Sequence, residues 1–333
     1  MVRTGIKQIY KDKDNEELRY STRSILQNIP WIRKIFILMP NKKVRFLKSN
    51  EEIREKIIYV KDRDFLGYDS ANNIAFTLNL HKMENFLISK NFIYMDDDYF
   101  IGNTLKKSDI FYFDEVDNKV YPYILTLKFN EINKTDVLQK YNEMFNLRKE
   151  INPHSGKGFS LSLLCTEKFF IENYNISLIN TEHSHNAIAL NIDDLKEIFQ
   201  LIKKYKYINE TLFSKQRYIL RLSQQHLVNL YQLNIKHKKV HSIPHKYISI
   251  ESLNKVKLFT PLYVINTGGN HIPLDRNYKL QKKIMEKRFP FSNIYEAKLN
   301  SQKQIIKFIL LSFNFLIFSL FILFIFLKMS LLF

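Results

Sequence analysis

The chain has 333 residues, 45% of them hydrophobic, with 7 Gly and 8 Pro. That excludes a collagen-like or linker-rich polymer and leaves room for one large domain or two moderate ones. The formal net charge of +18 points to anionic partners, but the lysines are scattered apart from small clusters at 203–206 and 236–239. With no zinc-finger spacing or other nucleic-acid motif beside them, nucleic acid is not expected as a partner.

In chain order, residues 16–28 predict a helix with Leu18, Ile25 and Leu26 on its apolar side. Residues 32–39 predict a strand ended by Pro40, and 56–60 a second short strand. Residues 71–87 fit a helix with Ile74, Leu78 and His81 inward, and 92–95 a strand. Residues 120–129 read as a further strand pair. From about Thr135 the pattern turns helical, with helices expected at 195–205, 212–233 and 277–287 and a strand at 258–265. The single cysteine, Cys165, excludes an intrachain disulfide and reads as a buried structural thiol. Alternating helices and strands predict an α/β sheet.

Residues 308–327 are uncharged and almost wholly Phe, Leu, Ile and Ser, with Lys307 before them and Lys328 after. A run of about 20 such residues matches a hydrocarbon core of about 30 Å, and a C-terminal transmembrane helix is expected. The first 19 residues are charged throughout, so no signal peptide is read and the chain is expected to be tail-anchored, with the Lys-rich approach favouring a cytosolic domain. Sequons at Asn133, Asn175 and Asn209 suit a lumenal domain instead. The expected localisation is a membrane, of the Golgi and endomembrane system or of a cell envelope.

The strand at 92–95 runs straight into Asp96, Asp97 and Asp98. Three adjacent carboxylates beside buried residues repel one another and are costly to desolvate. A hard divalent cation, Mg²⁺ or Mn²⁺, removes both costs and keeps open positions for substrate phosphates. The alternative is a solvated acidic turn. His183 and His185 lie in a polar stretch, as a base, a metal-gripping pair or plain solvated imidazoles. Lys215, Arg217 and Arg221 fall in a predicted helix, either facing a phosphate or as an exposed basic face. The strand ending at Asn266 leaves into a Gly268–Gly269 turn, which either approaches a ligand or is a plain loop. No nucleophile-elbow or phosphate-binding Gly-rich motif occurs.

Several of these segments together resemble the conserved blocks of the Stealth proteins, a family of sugar-1-phosphate transferases. The run 14–25, with Arg19 and Arg23, followed by Pro30, Trp31 and Ile32, is similar to the opening of the second block. Residues 94–102 and 106–112 are similar to its end. His185 with Asn191, then Arg217 and Arg221, resembles the third block, and 263–266 with 289–296 the fourth. The family's first block, a strand, has no counterpart here, and Thr267 stands where the fourth block carries an acidic residue.

The resemblance implies a GT-A/Rossmann-like mixed sheet over 1–130 and a mostly helical second part over 131–300 that completes the same site, ahead of the anchor read at 308–327. It implies a nucleotide-sugar donor and a glycan or glycoprotein acceptor. Asp97 and Asp98 would hold Mg²⁺ or Mn²⁺. His185 would be the base, Arg217 would carry phosphate charge, and Arg19, Arg23, Arg221 and Asn266 would bind substrate. Two alternatives stay open: a metal-dependent GT-A-type glycosyltransferase, and a degenerate, non-catalytic membrane-anchored relative.

Overall fold

A computed structural model of the chain describes residues 17–39, 51–68, 72–96, 99–126, 129–153, 155–174, 178–181, 187–214, 218–243, 245–249, 262–266 and 275–290. The chain forms two compact units, one of Met1–Lys42 with Glu55–Pro290 and one of Lys43–Arg54 with Phe291–Phe333. Only residues 51–54 of the second unit are described.

Helix α1 (Glu17–Asn28) carries Glu17 in its first turn, where a carboxylate complements the helix dipole. Strand β1 (Ile35–Met39) alternates buried and half-buried residues. After α2 (Glu51–Lys56), strand β2 (Ile57–Lys61) pairs with β1 in parallel, Ile35 opposite Ile57. A short α3 (Asp62–Leu66) ends on Gly67, whose φ of 84° lies in the left-handed region that a glycine enters without steric cost. Helix α4 (Asn73–Leu78) is capped by Asn72, whose side chain accepts from Ile74 N, and a 3-10 helix covers Leu80–Phe86. The helix expected at 71–87 is thus two pieces broken at Asn79, whose side-chain amide bonds back to Ala75 O.

Five short strands follow: β3 (Asn91–Tyr94), β4 (Tyr99–Ile101), β5 (Phe111–Asp114), β6 (Lys119–Pro122) and β7 (Ile124–Leu125). Then come β8 (Phe129–Glu131), α5 (Lys134–Asn146), α6 (Gly156–Asn173), β9 (Ile179–Thr181), β10 (Ile188–Asn191), α7 (Ile192–Ile202), α8 (Ile208–Phe213) and α9 (Gln224–Asn234). The described chain closes with β11 (Val240–His241), β12 (His245–Ser249), β13 (Leu262–Asn266) and α10 (Asp275–Arg288). Asn133 caps α5, Ser155 caps α6 and Asn191 caps α7, each accepting backbone N–H bonds that the first helical turn leaves unmade. In α6, Gly158 runs against the 152–153 backbone so closely that a Cβ would sit 2.5 Å from Asn152 O.

The architecture is mixed α/β, and two expectations are corrected. The second part is not simply helical: β9 pairs with β8, β10 with β3, β11 with β7 and β13 with β4, so later strands complete ladders begun earlier in the chain. These strands are two to five residues long, too short for an alternating pattern to declare itself. The single-pass anchor and the membrane localisation drawn from it are not supported. Among the described residues no helix is long and apolar enough to cross a membrane, and residues 308–327 lie outside them.

Among the described residues the core includes two apolar clusters. The larger joins Phe76, Leu80 and Met83 to Leu161, Phe170, Leu195, Leu212 and Leu230, with Phe92 and Tyr94 of β3 packed against it. The smaller joins Ile29, Ile101, Leu105 and Ile110 to Ala187 and Ala189, with Ile25, Ile93 and Met95 alongside. Strand β3 therefore lies between two cores, its alternate side chains reaching each. Cys165 is buried in the larger cluster, as expected, and burial pushes its thiol up to about 12.

Candidate functional site

Strand β3 ends at Tyr94 and β4 begins at Tyr99, so the acidic run is the link between two strands. The Tyr94 hydroxyl donates to Asp96 Oδ1 at 2.8 Å, and Tyr99 N donates to Asp96 O at 3.2 Å, closing a four-residue turn. The Asp96 carboxylate is thus engaged along its own strand. Asp97 and Asp98 lie outside the described residues. Among the described residues, no group of three or more His, Cys, Asp or Glu is placed to hold a metal ion.

Register brings remote segments to this turn. In the antiparallel pair of β3 and β10, Tyr94 faces Ile188, so the chain enters β10 where β3 gives way to the acidic run. His185, outside the described residues, is three positions before Ile188 in sequence. In the antiparallel pair of β4 and β13, Tyr99 faces Val264, and Ile265 and Asn266 run on past the start of β4. Segments near positions 95, 187 and 266 therefore meet at one end of the two ladders.

The turn is held from behind by α1. Ser24 Oγ accepts from Ile101 N at 3.0 Å, and the Asn28 amide donates to Ile101 O at 2.6 Å, so one β4 residue is gripped on both backbone groups. Trp31 Nε1 donates to Leu105 O at 2.6 Å. On the same helix Arg23 Nη1 lies 2.9 Å from Glu286 Oε2 and donates to Phe289 O at 2.8 Å, while the Tyr20 hydroxyl donates to Glu286 Oε1 at 3.1 Å. Arg288 in turn donates to Gly102 O and, at 2.9 Å, to Asn103 Oδ1. Phe100 stacks on Phe289 with ring centroids 6.2 Å apart. Helices α1 and α10 thus fix the strand that leaves the acidic turn.

The other expected site residues fall as follows. Arg19 is half-buried on α1. Arg23 is buried and occupied by the Glu286 and Phe289 contacts just described. Arg221 does not lie on a helix: the expected 212–233 helix is divided into α8 and α9, and Arg221 sits between them, buried, donating to Tyr218 O and Pro153 O, each at 3.0 Å. Arg217 lies outside the described residues.

Sequence reasoning missed Ser24, Asn28 and Glu286 as supports of the turn. Two small polar residues four apart inside a helix are the available signal, since they gain nothing there unless a partner strand or helix takes their bonds. It also missed His226, fully buried with Nε2 3.0 Å from Glu167 Oε1.

Residues 11–119 match the profile of the Stealth protein CR2, conserved region 2. That span includes α1, β3, β4 and the turn between them. A capsular polysaccharide phosphotransferase of Actinobacillus suis is 35% identical over 106 residues, 31% of this chain and 28% of the relative. Capsular polysaccharide phosphotransferase WcwK of Streptococcus pneumoniae is 22% identical over 317 residues, covering 87% of this chain and 90% of that protein. The N-acetylglucosamine-1-phosphotransferase subunits alpha/beta of Homo sapiens are 34% identical over 111 residues, 33% of this chain and 8% of theirs. The match thus spans less than a third of the length of the Actinobacillus protein and under a tenth of the human one. Residues 11–119, which include α1 and the acidic turn that it braces, are thus similar to conserved region 2 of the Stealth proteins.

Proposed function

We propose that the chain transfers a sugar-1-phosphate from a UDP-sugar to a glycan hydroxyl, forming a phosphodiester. The observation that carries this reading is that the residues matched to the Stealth region are those that brace the acidic turn, and that similar proteins are phosphotransferases. The acceptor oxygen bonds to the phosphorus that bears the donor sugar. The bond from that phosphorus to the nucleotide's bridging oxygen breaks, UMP leaves, and the hydroxyl proton passes to His185. Catalysis of this kind is positioning and charge neutralisation.

Asp96 is already bonded to Tyr94, so Asp97 and Asp98 are the carboxylates left to hold Mg²⁺ or Mn²⁺. The ion would neutralise the donor diphosphate. Arg217 carries charge on the transferred phosphoryl group, Asn266 orients a substrate at the end of β13, and Arg19 contacts phosphate. Segments from 1–130 and 131–300 serve one site in this reading, in keeping with the ladders that join β10 to β3 and β13 to β4.

The test is the nucleotide released. The full chain is incubated with UDP-N-acetylglucosamine, Mn²⁺ and a capsular glycan, and the nucleotide product is identified. UMP is the expected product. UDP alone means that the anomeric carbon is attacked, as in a GT-A-type glycosyltransferase, and no turnover means a non-catalytic relative.

A further inference from the structure

Strands β5, β6 and β11 carry a row of aromatic rings that the proposed reaction leaves unused. Tyr112 and Tyr121 sit opposite each other in the β5–β6 hairpin, and Tyr123 follows Tyr121 by two positions, which returns a side chain to the same face of a strand. Ring centroids lie 6.0 Å apart for Tyr121 and Tyr112 and 4.8 Å apart for Tyr112 and Tyr123. His241 of β11 continues the row, 5.0 Å from Tyr123. Tyr121, Tyr123 and His241 are half-buried, and Tyr112 between them is buried. Tyr121 is held in place: its hydroxyl donates to Asp117 Oδ2 at 2.6 Å, and Lys238 Nζ backs one ring face, 3.3 Å from the centroid. Lys238 Nζ is in turn 3.9 Å from Asp194 Oδ2, and Lys239 Nζ lies 4.8 Å from the Tyr112 centroid. Among the described residues the Tyr123 hydroxyl and the His241 ring nitrogens have no hydrogen-bond partner. A tyrosine that only fills a core finds a partner for its hydroxyl, whereas a ring with an open polar tip at the surface is suited to a ligand.

We propose that this row is a track for the acceptor glycan, with Tyr121, Tyr123 and His241 each stacking one sugar unit of a chain; the inference rests on the transfer reaction proposed above. A pyranose offers a face of C–H groups to an aromatic ring and a rim of hydroxyls to polar side chains, and neighbouring rings here are spaced much as successive sugars are. Charge favours this occupant over a polyanion. Asp114 stands opposite Lys119 in the hairpin, and Asp117 and Asp194 offset Lys238 and Lys239. A phosphate backbone gains little from such a balance, whereas a hydroxyl-rich chain finds both donors and acceptors. The direction of the row also fits. Strand β6 begins beside the start of β3, where the Asn91 amide donates to Val120 O at 2.7 Å. Strand β7 reaches the other end, where Leu125 shares the smaller core with Ala187. Ala187 immediately precedes β10, whose Ile188 faces Tyr94 at the acidic turn. The row therefore leads along β3 toward the turn, and a glycan lying on it brings its terminal hydroxyl there.

The test reads glycan binding in the absence of nucleotide. N-acetylglucosamine oligomers and glucose oligomers, from the single sugar to the hexamer, are titrated calorimetrically into the full chain, beside a single-stranded oligothymidylate. In at least one glycan series affinity is expected to rise about tenfold from the single sugar to the tetramer and then to level off. Tyr121→Ala and His241→Ala are expected to remove most of that rise, and Tyr121→Phe, which keeps the ring, to retain it. Urea unfolding midpoints are read on the same samples, and if Tyr121→Ala does not fold, His241→Ala decides. No rise with length in either series overturns the track. A rise that survives the alanine variants overturns its assignment to these rings. Tighter binding of oligothymidylate than of any glycan makes the surface a nucleobase-stacking platform and overturns the glycan. Release of UDP, or no turnover, beside intact length-dependent binding fails the transfer reaction alone, and lost binding beside released UMP fails the track alone.

Discussion

Arg23 on α1 meets Glu286 on α10, Nη1 2.9 Å from Oε2, across 263 positions of sequence. The arginine side chain is 3% exposed and the glutamate 36%, so removing the arginine leaves a carboxylate that water can still reach. Arg23→Gln is expected to cost about 2 kcal/mol, below the 3–5 typical of a fully buried pair, read from urea unfolding midpoints. Because Arg23 faces α10, the KM for the donor should stay within about twofold of wild type even where kcat falls. A large rise in KM with unchanged stability would instead put Arg23 on the phosphate.

Ser24 and Asn28 hold Ile101, and β4 leaves the acidic turn two residues before it. Ser24→Ala removes the acceptor of a buried N–H and is expected to cost about 1–3 kcal/mol. Because the turn loses its anchor, kcat should fall at least tenfold at a temperature where the variant remains folded. Unfolding curves and steady-state rates on one preparation check both.

Much of the acidic turn was legible because its signal is local. An apolar strand that breaks into carboxylates needs no knowledge of distant residues. The apolar stripe of α1 shows how local reading goes astray. Periodicity puts Leu18, Ile25 and Leu26 inside, whereas the fully buried residues include Tyr20, Ser21, Thr22, Arg23, Ser24 and Asn28. The partners of Tyr20, Arg23, Ser24 and Asn28 lie on β4 and α10, more than 70 and 260 positions away, and no window on a sequence contains them. Arg221 was misplaced for the opposite reason. Apolar residues recur at helical spacing on both sides of Ser214, and nothing local announces that the chain turns there. Helix α6 was hidden by composition: Gly156, Gly158, Ser160 and Ser162 lower its helix propensity, and packing against the larger core compensates.

The carboxylates of the turn should separate by role. EDTA, or Asp97→Asn, is expected to weaken UDP-sugar binding about tenfold or more, since bare diphosphate repels the turn. Asp96→Asn, which replaces a carboxylate already bonded to Tyr94, is expected to keep the metal dependence. Isothermal titration with and without Mn²⁺ decides. Equal affinity in every case removes the cation from the site.

Cys165 should be chemically silent in the native protein. Its thiol is 2% exposed and is pushed up to about 12, chiefly by burial. Alkylation at pH 8 is expected to run roughly a hundredfold slower than in urea. The unfolded thiol titrates near 8.5, so the stability it lends is complete below that pH and is lost as pH rises from there toward 12. Cys165→Ala should flatten that part of the alkaline stability profile.

Helix α1 has two working faces. Leu18, Ser21 and Ile25 border a cavity of about 650 Å³ that β1 and β3 also line, while Tyr20, Ser24 and Asn28 grip α10 and β4. One rigid rod cannot shift on one face and stay still on the other. Were an occupant of the cavity to move α1, filling the cavity and ordering the acidic turn would be linked equilibria. Any occupant that raises the turn's affinity for a nucleotide by some factor must itself be held more tightly, by that same factor, once the nucleotide is bound.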